Sequence, residues 1–296
     1  MAAVNYAKEY QSALSNAWPH VLRFGALYAA PNNGRFRFLR SNIIEVPTLT
    51  TSGRQEANRD SIVTPGRHWD NGWTPLELTN HRYWDTLVHP RDIEQTNMAA
   101  SIANITKTYN ETQKFPEMDA YTISKIYADF VTLGKTVDTT AITTDNVLTV
   151  FDGMYQQLIE DLVPMTGLIL YVTPAVNTSL KNAKALSRQL AIGPQKAVVE
   201  RALASLDEVK IEVVPSVLMK TLYDFSDGWT PAGAAKQINM ALIQPQSIIT
   251  PVTYSAAALD EPCAKTNMQY YYYEESDEDV FILPNKETGI AFNTEA

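Results

Sequence analysis

The stretch WDTLVHPRDIEQTN, residues 84–97, contains the change of pattern that decides the fold. Its first part, Trp84–Val88, combines aromatic and β-branched residues and is typical of a strand. After it, apolar residues recur at helical spacing over two successive segments. Met98, Ile102, Ile105 and Tyr109 form the first, and Tyr121, Ile123, Ile126, Tyr127, Phe130 and Leu133 form the second. The sequence therefore predicts a strand that leads into a long helix.

A proline divides this helix. Pro116 stands where a new helical turn can begin, and the acidic residues Glu117 and Asp119 after it suit a helix N-terminus. We expect a helix that is broken or kinked near Pro116. A second helix is predicted from about Asp145 to Leu162, with one apolar face and Thr144 as its N-cap.

Two irregular segments precede the strand. Residues 1–42 show no sustained period and are predicted to form an extended arm. Residues 43–90 have strand-like ends, Ile43–Val46 and Trp84–Val88, with turn-forming residues between them. This pattern favours a protruding two-stranded excursion. Long loops in compact domains are uncommon and usually functional, so this one needs an explanation.

The pattern after the second helix is α/β. Gly167–Val172 predicts a buried strand, Thr173 and Pro174 open a helix, and another helix is expected from Pro194. The alternation in Val209–Val213 indicates a half-exposed strand. Near the end, two strands are predicted to flank an acidic loop and to continue into a third strand as an antiparallel meander. They are Gln269–Tyr273, Val280–Leu283 and Ile290–Phe292.

Composition excludes several classes of protein. The 296 residues are 45% hydrophobic and 19% charged, as in a globular protein of one large or two smaller domains. No apolar run is long enough for a membrane span, so no membrane partner is expected, and the first residues do not form a secretory signal. The single cysteine, Cys263, forms no intrachain disulfide. We expect a protein made in the cytosol.

Charge is distributed unevenly along the chain. The net charge is -9, yet residues 1–44 carry five basic residues against one acidic residue. Residues 254–296 carry nine acidic residues against two basic ones. Such asymmetry indicates that the two ends face different surroundings, although two solvated tails of chance composition would give the same count.

Catalytic signatures are missing from the sequence. It contains no nucleophile elbow, no phosphate-binding loop and no dinucleotide-binding fingerprint. His81, Asp85 and His89 could be imagined as a metal cluster, but His81 and Asp85 would come close enough to share an ion only on a helix, and their segment is predicted to be a strand. Cys263 has only Lys265 nearby to stabilise a thiolate, which favours an inert thiol. We therefore assign no catalytic, cofactor-binding or metal-binding residue and expect no enzyme.

The order of these segments resembles the major capsid proteins of tailed bacteriophages, which share the Hong Kong 97 fold. Four stretches carry the resemblance: Trp84–Asn97 resembles the strand that enters the spine helix, and Phe115–Tyr121 resembles the continuation of that helix. Val209–Ser216 is similar to a strand that ends in Val-Pro-Ser, and Asp279–Lys286, followed by Gly289 and Ile290, is similar to the closing strands.

The resemblance implies an α+β fold of the Hong Kong 97 capsid type. Residues 1–42 would be the N-terminal arm, 43–90 the extended β-hairpin loop, and 91–165 the peripheral domain with its long spine helix. Residues 166–244 would form the axial domain, and 245–296 would return to the peripheral domain.

The implied function is that of a major capsid protein. Such a protein assembles into hexamers and pentamers of an icosahedral shell that encloses double-stranded DNA. The shell would form in the host bacterial cytoplasm and end in the virion. Because the arm begins close to Met1, a scaffolding protein would be a separate chain, and a portal and a decoration protein are further partners that the resemblance implies.

Two other functions remain open at this stage. An encapsulin-like compartment shell would keep the fold but enclose cargo enzymes, and the contents of purified particles distinguish it from a capsid. A soluble α+β enzyme without a recognised motif is the other alternative, and a small monodisperse species without particles would favour it.

The excursion supplies the predicted contacts between subunits. Trp69, Trp73, Tyr83 and Trp84 would be costly to expose on a monomer and are of a kind enriched at interfaces, although a local mini-core is the alternative. Its basic residues are all arginines, which bind carboxylates bidentately and cannot form an isopeptide bond. The predicted contact residues are Arg54, Arg59, Arg67, Trp69, Trp73 and Arg82.

The arm carries a separate prediction. Its basic residues are Arg23, Arg35, Arg37 and Arg40. We expect the arm to face the shell interior or a neighbouring subunit, near packaged double-stranded DNA. Contact with DNA would involve phosphates and be independent of sequence. Pairing of these arginines with acidic residues of adjacent subunits is the alternative.

Overall fold

The protein is described by a computed structural model that covers residues 19–30, 32, 36–40, 42–54, 66–96, 100–183 and 205–296. Within these ranges the α-helices are α1 Gly25–Tyr28, α2 Pro90–Gln95, α3 Ile102–Tyr109, α4 Phe115–Thr132, α5 Val147–Glu160 and α6 Pro174–Asn182. The strands are β1 Arg37–Arg40, β2 Ile43–Thr51, β3 Trp69–Glu77, β4 His81–Val88, β5 Ile169–Val172, β6 Ser205–Leu206, β7 Val209–Val213, β8 Tyr223–Asp224, β9 Thr230–Pro231, β10 Ile238–Ile243, β11 Ile248–Ile249, β12 Val252–Asp260, β13 Tyr270–Glu278, β14 Phe281–Ile282 and β15 Ile290–Thr294.

A five-stranded mixed sheet lies at the centre, in the order β15-β10-β5-β7-β6. β5 and β7 run parallel, and β10 pairs antiparallel with both β5 and β15. The predicted buried strand after Gly167 is confirmed, since every residue of β5 is buried. The helix after it begins at Pro174, and the Thr173 hydroxyl accepts a bond from the Val176 N–H as its cap.

Alternation along the central strands divides the interior into two cores. Ile169 and Tyr171 of β5 belong to the core that contains α4, whereas Leu170 and Val172 belong to the core that contains α5 and α6. Each buried aliphatic or aromatic side chain contributes about 1.5–3 kcal/mol, so these two cores dominate the stability of the fold.

The long helix is irregular near the proline at which the sequence predicts a break or a kink. α3 and α4 are joined by a π-helical turn, Asn110–Lys114, directly before Pro116. Proline lacks the N–H that an α-helix needs at this position, and a π turn is one way to accommodate that loss. The helix is therefore not broken at Pro116, and the irregularity next to this proline is the π turn. We call α3, the π turn and α4 together the spine helix.

The excursion is a hairpin with a different return strand from the one expected. β2 pairs along its whole length with β3, not with Trp84–Val88. Its base is anchored by Ile44 and Val46, which pack against Ile249, Phe281 and Leu283. β1 lies on the other edge of β2, so the last part of the expected arm belongs to the hairpin sheet.

The expected return strand belongs to another sheet. β4, which contains Trp84–Val88, pairs with β13, and β13 pairs with β12. The sequence pattern identified β2 and β4 as strands but not their partners. The partner of β4 is the distant strand β13, which no local pattern specifies. The division into arm, loop and two domains stays a prediction.

The closing strands do not form the expected meander. The acidic residues Glu274–Glu278 continue β13 instead of forming a loop. Val280–Leu283 contains β14, which pairs with β11, while β15 forms the edge of the central sheet. The three predicted segments therefore lie in three different sheets.

Two local expectations are corrected or fall outside the described residues. The second helix begins at Val147 after Asn146, so Thr144 is not its cap. The N-cap position is Asn146, whose side chain does not cap the helix but accepts a bond from the Thr143 N–H. The helix expected from Pro194 lies outside the described residues. None of the described helices combines the length and apolar character needed to cross a membrane.

Candidate intersubunit surfaces

One face of the hairpin presents apolar side chains to solvent. Trp69, Asn71 and Trp73 alternate along β3 and therefore point to one side, and Leu49 stands opposite Asn71 on the same side. Trp69 is 51% exposed, Trp73 is 42% exposed and Leu49 is 67% exposed. The alternative of a local mini-core is thus wrong for the two tryptophans. We call Leu49, Trp69 and Trp73, with the arginines beside them, the hairpin surface.

Arginines cover one ring face of each tryptophan. The Arg37 guanidinium lies 3.8 Å from the Trp73 ring centroid and binds Glu45 on the neighbouring strand at 2.7 Å. The Arg67 guanidinium lies 4.0 Å from the Trp69 ring centroid. Cation–π contacts of this exposed kind contribute about 0.5–1 kcal/mol each. They hold the rings in place without burying them.

The other predicted contact residues have different positions. Arg82 donates to Glu117 at 2.6 Å and to the Phe225 carbonyl at 2.6 Å, so it joins β4 to the spine helix of its own chain. Trp84 stacks on Tyr109 at 3.9 Å, also within the chain. Arg54 is exposed just after β2. Arg59 lies outside the described residues.

A second exposed face lies on the sheet formed by β12, β13 and β4. Tyr273 lies between Tyr83 and Tyr271, with ring centroids 6.2 Å and 6.4 Å away. Leu87 is 54% exposed and Tyr254 is 48% exposed, and the strand registers place them on the same side. We call Tyr83, Leu87, Tyr254, Tyr271 and Tyr273 the tyrosine face.

Carboxylates are interleaved with the tyrosine face. Asp85 accepts a bond from the Tyr271 hydroxyl, and Glu275 accepts one from the Tyr273 hydroxyl at 2.8 Å. The bond to Glu275 raises the pKa of Tyr273 to about 12. His81 contacts both Glu275 and Asp277, and its bond to Asp277 raises the pKa of the imidazole. The face is therefore aromatic and acidic.

Sequence reasoning missed this face, although a signal was present. Taking Glu274–Glu278 as a solvated loop hid the period of two that runs through β13. Along this strand, Tyr271, Tyr273, Glu275 and Asp277 point to one side. The tyrosines 270–273 and the acidic stretch 274–278 therefore belong to one strand.

The opposite side of this sheet packs on the spine helix through charged groups. Lys114 binds Glu274 at 3.0 Å, and Arg82 binds Glu117 at 2.6 Å. Burial raises the pKa of Glu117 and that of Glu278. These pairs fix the tyrosine face relative to the helix.

The N-terminal segment docks on the other side of the spine helix. Asp119 has no exposed surface and accepts bonds from the backbone N–H groups of Arg23 and Phe24 and from the His20 ring. Phe24 and Leu27 are fully buried in the core with α4. The expectation of a wholly extended arm is therefore wrong for these residues.

The arm arginines are divided by this arrangement. Arg23 belongs to the docked segment, while Arg37 and Arg40 lie on β1. Arg37 pairs with Glu45 of its own chain. Arg35 lies outside the described residues.

The residues weighed for metal binding or nucleophilic chemistry are dispersed. The described part of the chain contains no group of three metal-ligating side chains. His81 lies on a strand, as expected, and the Nδ1 atom of His89 caps α2 by accepting the Arg91 N–H. Cys263 is exposed, and the Thr266 hydroxyl lowers the pKa of its thiol.

Comparison with known proteins identifies the fold. No family model and no curated protein matches the sequence. Solved structures do match: the chain superimposes on the mature capsid of bacteriophage PhiM1 with a TM-score of 0.69, 12% identity, and coverage of 99% of this chain and 92% of that one. The capsid of cyanophage P-SCSP1u matches with a TM-score of 0.65 and 10% identity, over 98% of this chain and 93% of that one. The head structure of Helicobacter pylori bacteriophage KHP40 matches with a TM-score of 0.61 and 10% identity, over 99% of this chain and 94% of that one. The chain has the α+β fold of Hong Kong 97-type capsid structures.

Proposed function

We propose that this chain, which has the Hong Kong 97-type capsid fold, is the major capsid protein of a tailed phage and forms the icosahedral shell around its double-stranded DNA. The observation that carries the proposal is the extent of the structural match. The PhiM1 comparison covers 99% of this chain and 92% of the capsid chain, so the likeness extends over nearly the full length of both chains. The role is structural and does not involve catalysis.

The exposed surfaces support self-assembly. Apolar patches on a soluble monomer are usually small, and larger ones mark interaction sites. Among the described residues, exposed aromatic and aliphatic side chains form two such patches, the hairpin surface and the tyrosine face, on different sheets. Hexamers and pentamers would cover them, because each subunit in a ring presents one edge to each neighbour.

Charge complementarity favours contact between the two surfaces. Arg54 and Arg67 lie on or beside the hairpin, whereas Asp85, Glu275 and Asp277 lie on the tyrosine face. We propose that the hairpin of one subunit lies over the tyrosine face of its neighbour. Aromatic rings would then pack together while arginines bind carboxylates.

The tryptophans would contribute more to this contact than the arginines. An exposed ion pair is worth about 0–1 kcal/mol. Burying a large aromatic side chain contributes about 1.5–3 kcal/mol. Trp69, Trp73, Arg54, Arg59 and Arg67 remain the proposed contact residues, and Arg82 is proposed to support the face from within its own chain.

Further partners are also proposals. A separate scaffolding protein, a portal and a decoration protein would take part in assembly, which would occur in the host bacterial cytoplasm. The positively charged arm residues Arg23, Arg35, Arg37 and Arg40 would face the interior or a neighbour. Any contact with DNA would be through phosphates.

Sedimentation of the full chain, co-expressed with its scaffold, tests the proposal. Hexamers, pentamers or closed shells are expected, with DNA as their content after packaging. Monomers under all assembly conditions would contradict shell formation. Closed shells that contain only cargo protein would contradict the capsid role but leave the fold intact.

A further inference from the structure

The π turn of the spine helix leaves one backbone carbonyl without a helical donor. The Phe115 N–H bonds to the Asn110 carbonyl, five residues back. In the same register, the next N–H would bond to Glu111, but Pro116 has no N–H. The Glu111 carbonyl is therefore free to accept a bond from outside the helix.

The N-terminal segment supplies that donor. The His20 N–H donates to the Glu111 carbonyl at 3.1 Å. The Nε2 atom of the same residue lies 2.6 Å from Oδ2 of Asp119, and it must be the donor because a carboxylate only accepts. His20 thus binds both the π turn and the helix that follows it.

The rest of the segment completes the attachment to α4. Asp119 accepts the Arg23 N–H at 2.9 Å and the Phe24 N–H at 3.0 Å. Bonds to a charged acceptor are about twice as strong as neutral ones. Burial is the largest influence on Asp119 and raises its pKa, so the buried carboxylate depends on these donors.

Apolar contacts and one further hydrogen bond fix the segment. The Phe24 ring lies 4.5 Å from that of Tyr171, centroid to centroid. The Tyr28 hydroxyl lies 2.9 Å from the Thr122 hydroxyl on α4. The docked segment therefore spans the spine helix from the π turn to its middle.

We propose that residues 20–28 are a latch that holds the spine helix in its π-bulged register, so that the position of the arm and the register of the helix are coupled. The competing register is specific. With the latch detached, the Phe115 N–H can bond to the Glu111 carbonyl, four residues back, which is the α-helical pattern. The proposal concerns coupling inside one chain and does not depend on shell formation.

A change of register would move α3, which carries Tyr109, relative to α4. One residue corresponds to about 100° of rotation in an α-helix of 3.6 residues per turn. α3 would rotate relative to α4, and the stack of Tyr109 on Trp84 would be reorganised. The latch therefore connects the arm to the sheet that bears the tyrosine face.

Hydrogen exchange of the full chain, measured by mass spectrometry, tests the coupling. The variants are His20→Ala and Asp119→Ala, and the matched control is Asp129→Ala, whose carboxylate binds Lys125 on the same helix. Both latch variants should exchange at least about tenfold faster over residues 20–28, as the loss of a hydrogen bond to a charged group would produce. Exchange over residues 110–116 should change as well, because the N–H groups of the π turn would then bond in the α-helical pattern. The control should change neither segment.

A third variant separates the latch from general destabilisation. Pro116→Ala restores an N–H that can reach the Glu111 carbonyl from within the helix. Exchange over residues 20–24 should become faster while exchange over 110–118 becomes slower, whereas partial unfolding would accelerate both. Faster exchange of the arm in His20→Ala with an unchanged π turn, or an unchanged arm in Pro116→Ala, would overturn the proposal.

Discussion

The arm junction on the spine helix and the hairpin surface use their large side chains in opposite ways. In the junction, Phe24 and Asp119 are fully buried, and each finds its partners within the chain. In the hairpin, Trp69 and Trp73 are about half exposed, with an arginine stacked on each. The side chains of the junction are buried as soon as the monomer folds, whereas those of the hairpin surface become buried only when another surface covers them.

The largest effect on folding is expected in the spine helix. Phe130 is 1% exposed and packs edge-to-face against Phe292. Phe130→Ala should lower the free energy of unfolding by about 3–5 kcal/mol, because it removes a buried ring and leaves a cavity. Denaturant titration of the unassembled chain measures this loss.

Trp73→Ala is the matched substitution in the hairpin. Exposed positions usually change stability by about 0.5 kcal/mol or less, and the lost stack with Arg37 adds little. A loss as large as that of Phe130→Ala would show that the two regions do not differ in the way described.

Particle assembly should depend more on the hairpin tryptophan than on the hairpin arginines. Trp73→Ala should reduce the yield of particles more than Arg59→Ala, since a buried aromatic ring contributes more than one surface ion pair. Sedimentation of matched preparations gives the yields. Equal yields for the two variants would show that the tryptophan does not stabilise the contact between subunits more than the arginine does.

The same contrast explains what the sequence could predict. Elements determined by local signals were found: the π-interrupted helix at Pro116, the buried strand β5 and the capped helix after Thr173. Strand pairing was missed, because β4 meets β13 far along the chain and nothing local specifies that partner.

The candidate surfaces were predictable to the same extent. Trp69 and Trp73 were singled out because large aromatic residues in a protruding segment are costly to expose on a monomer, and both are exposed in the structure. The intrachain pairing of Arg82 with Glu117, and of Arg37 with Glu45, was not predictable. A charged residue shows its sign in the sequence, but its partner depends on the tertiary fold.

A smaller, pH-dependent effect is expected at the edge of the tyrosine face. The pKa of His81 is raised above its usual value of about 6.5 by Asp277, and Glu275 adds to this effect. Protonated His81 therefore stabilises the sheet below pH about 6.5, and this contribution is lost as the pH rises through the raised pKa.

NMR titration of the His81 ring measures that pKa directly. Asp277→Asn should lower it towards the ordinary value. An unchanged His81 titration in Asp277→Asn would show that the carboxylate does not hold the imidazole.

No covalent link between subunits is expected, because arginines are the basic residues of the hairpin segment and cannot form an isopeptide bond. Mature particles boiled in detergent should give a single band near 33.0 kDa. A ladder of larger species would show that the hairpin is held by a bond of another kind.

A density map of the assembled particle would show what covers the hairpin surface. We expect a closed shell in which β2 and β3 of one subunit lie over the tyrosine face of the next, with Trp69 and Trp73 buried in the contact. A shell in which both tryptophans remain exposed, or in which the hairpin contacts only its own chain, would contradict this expectation.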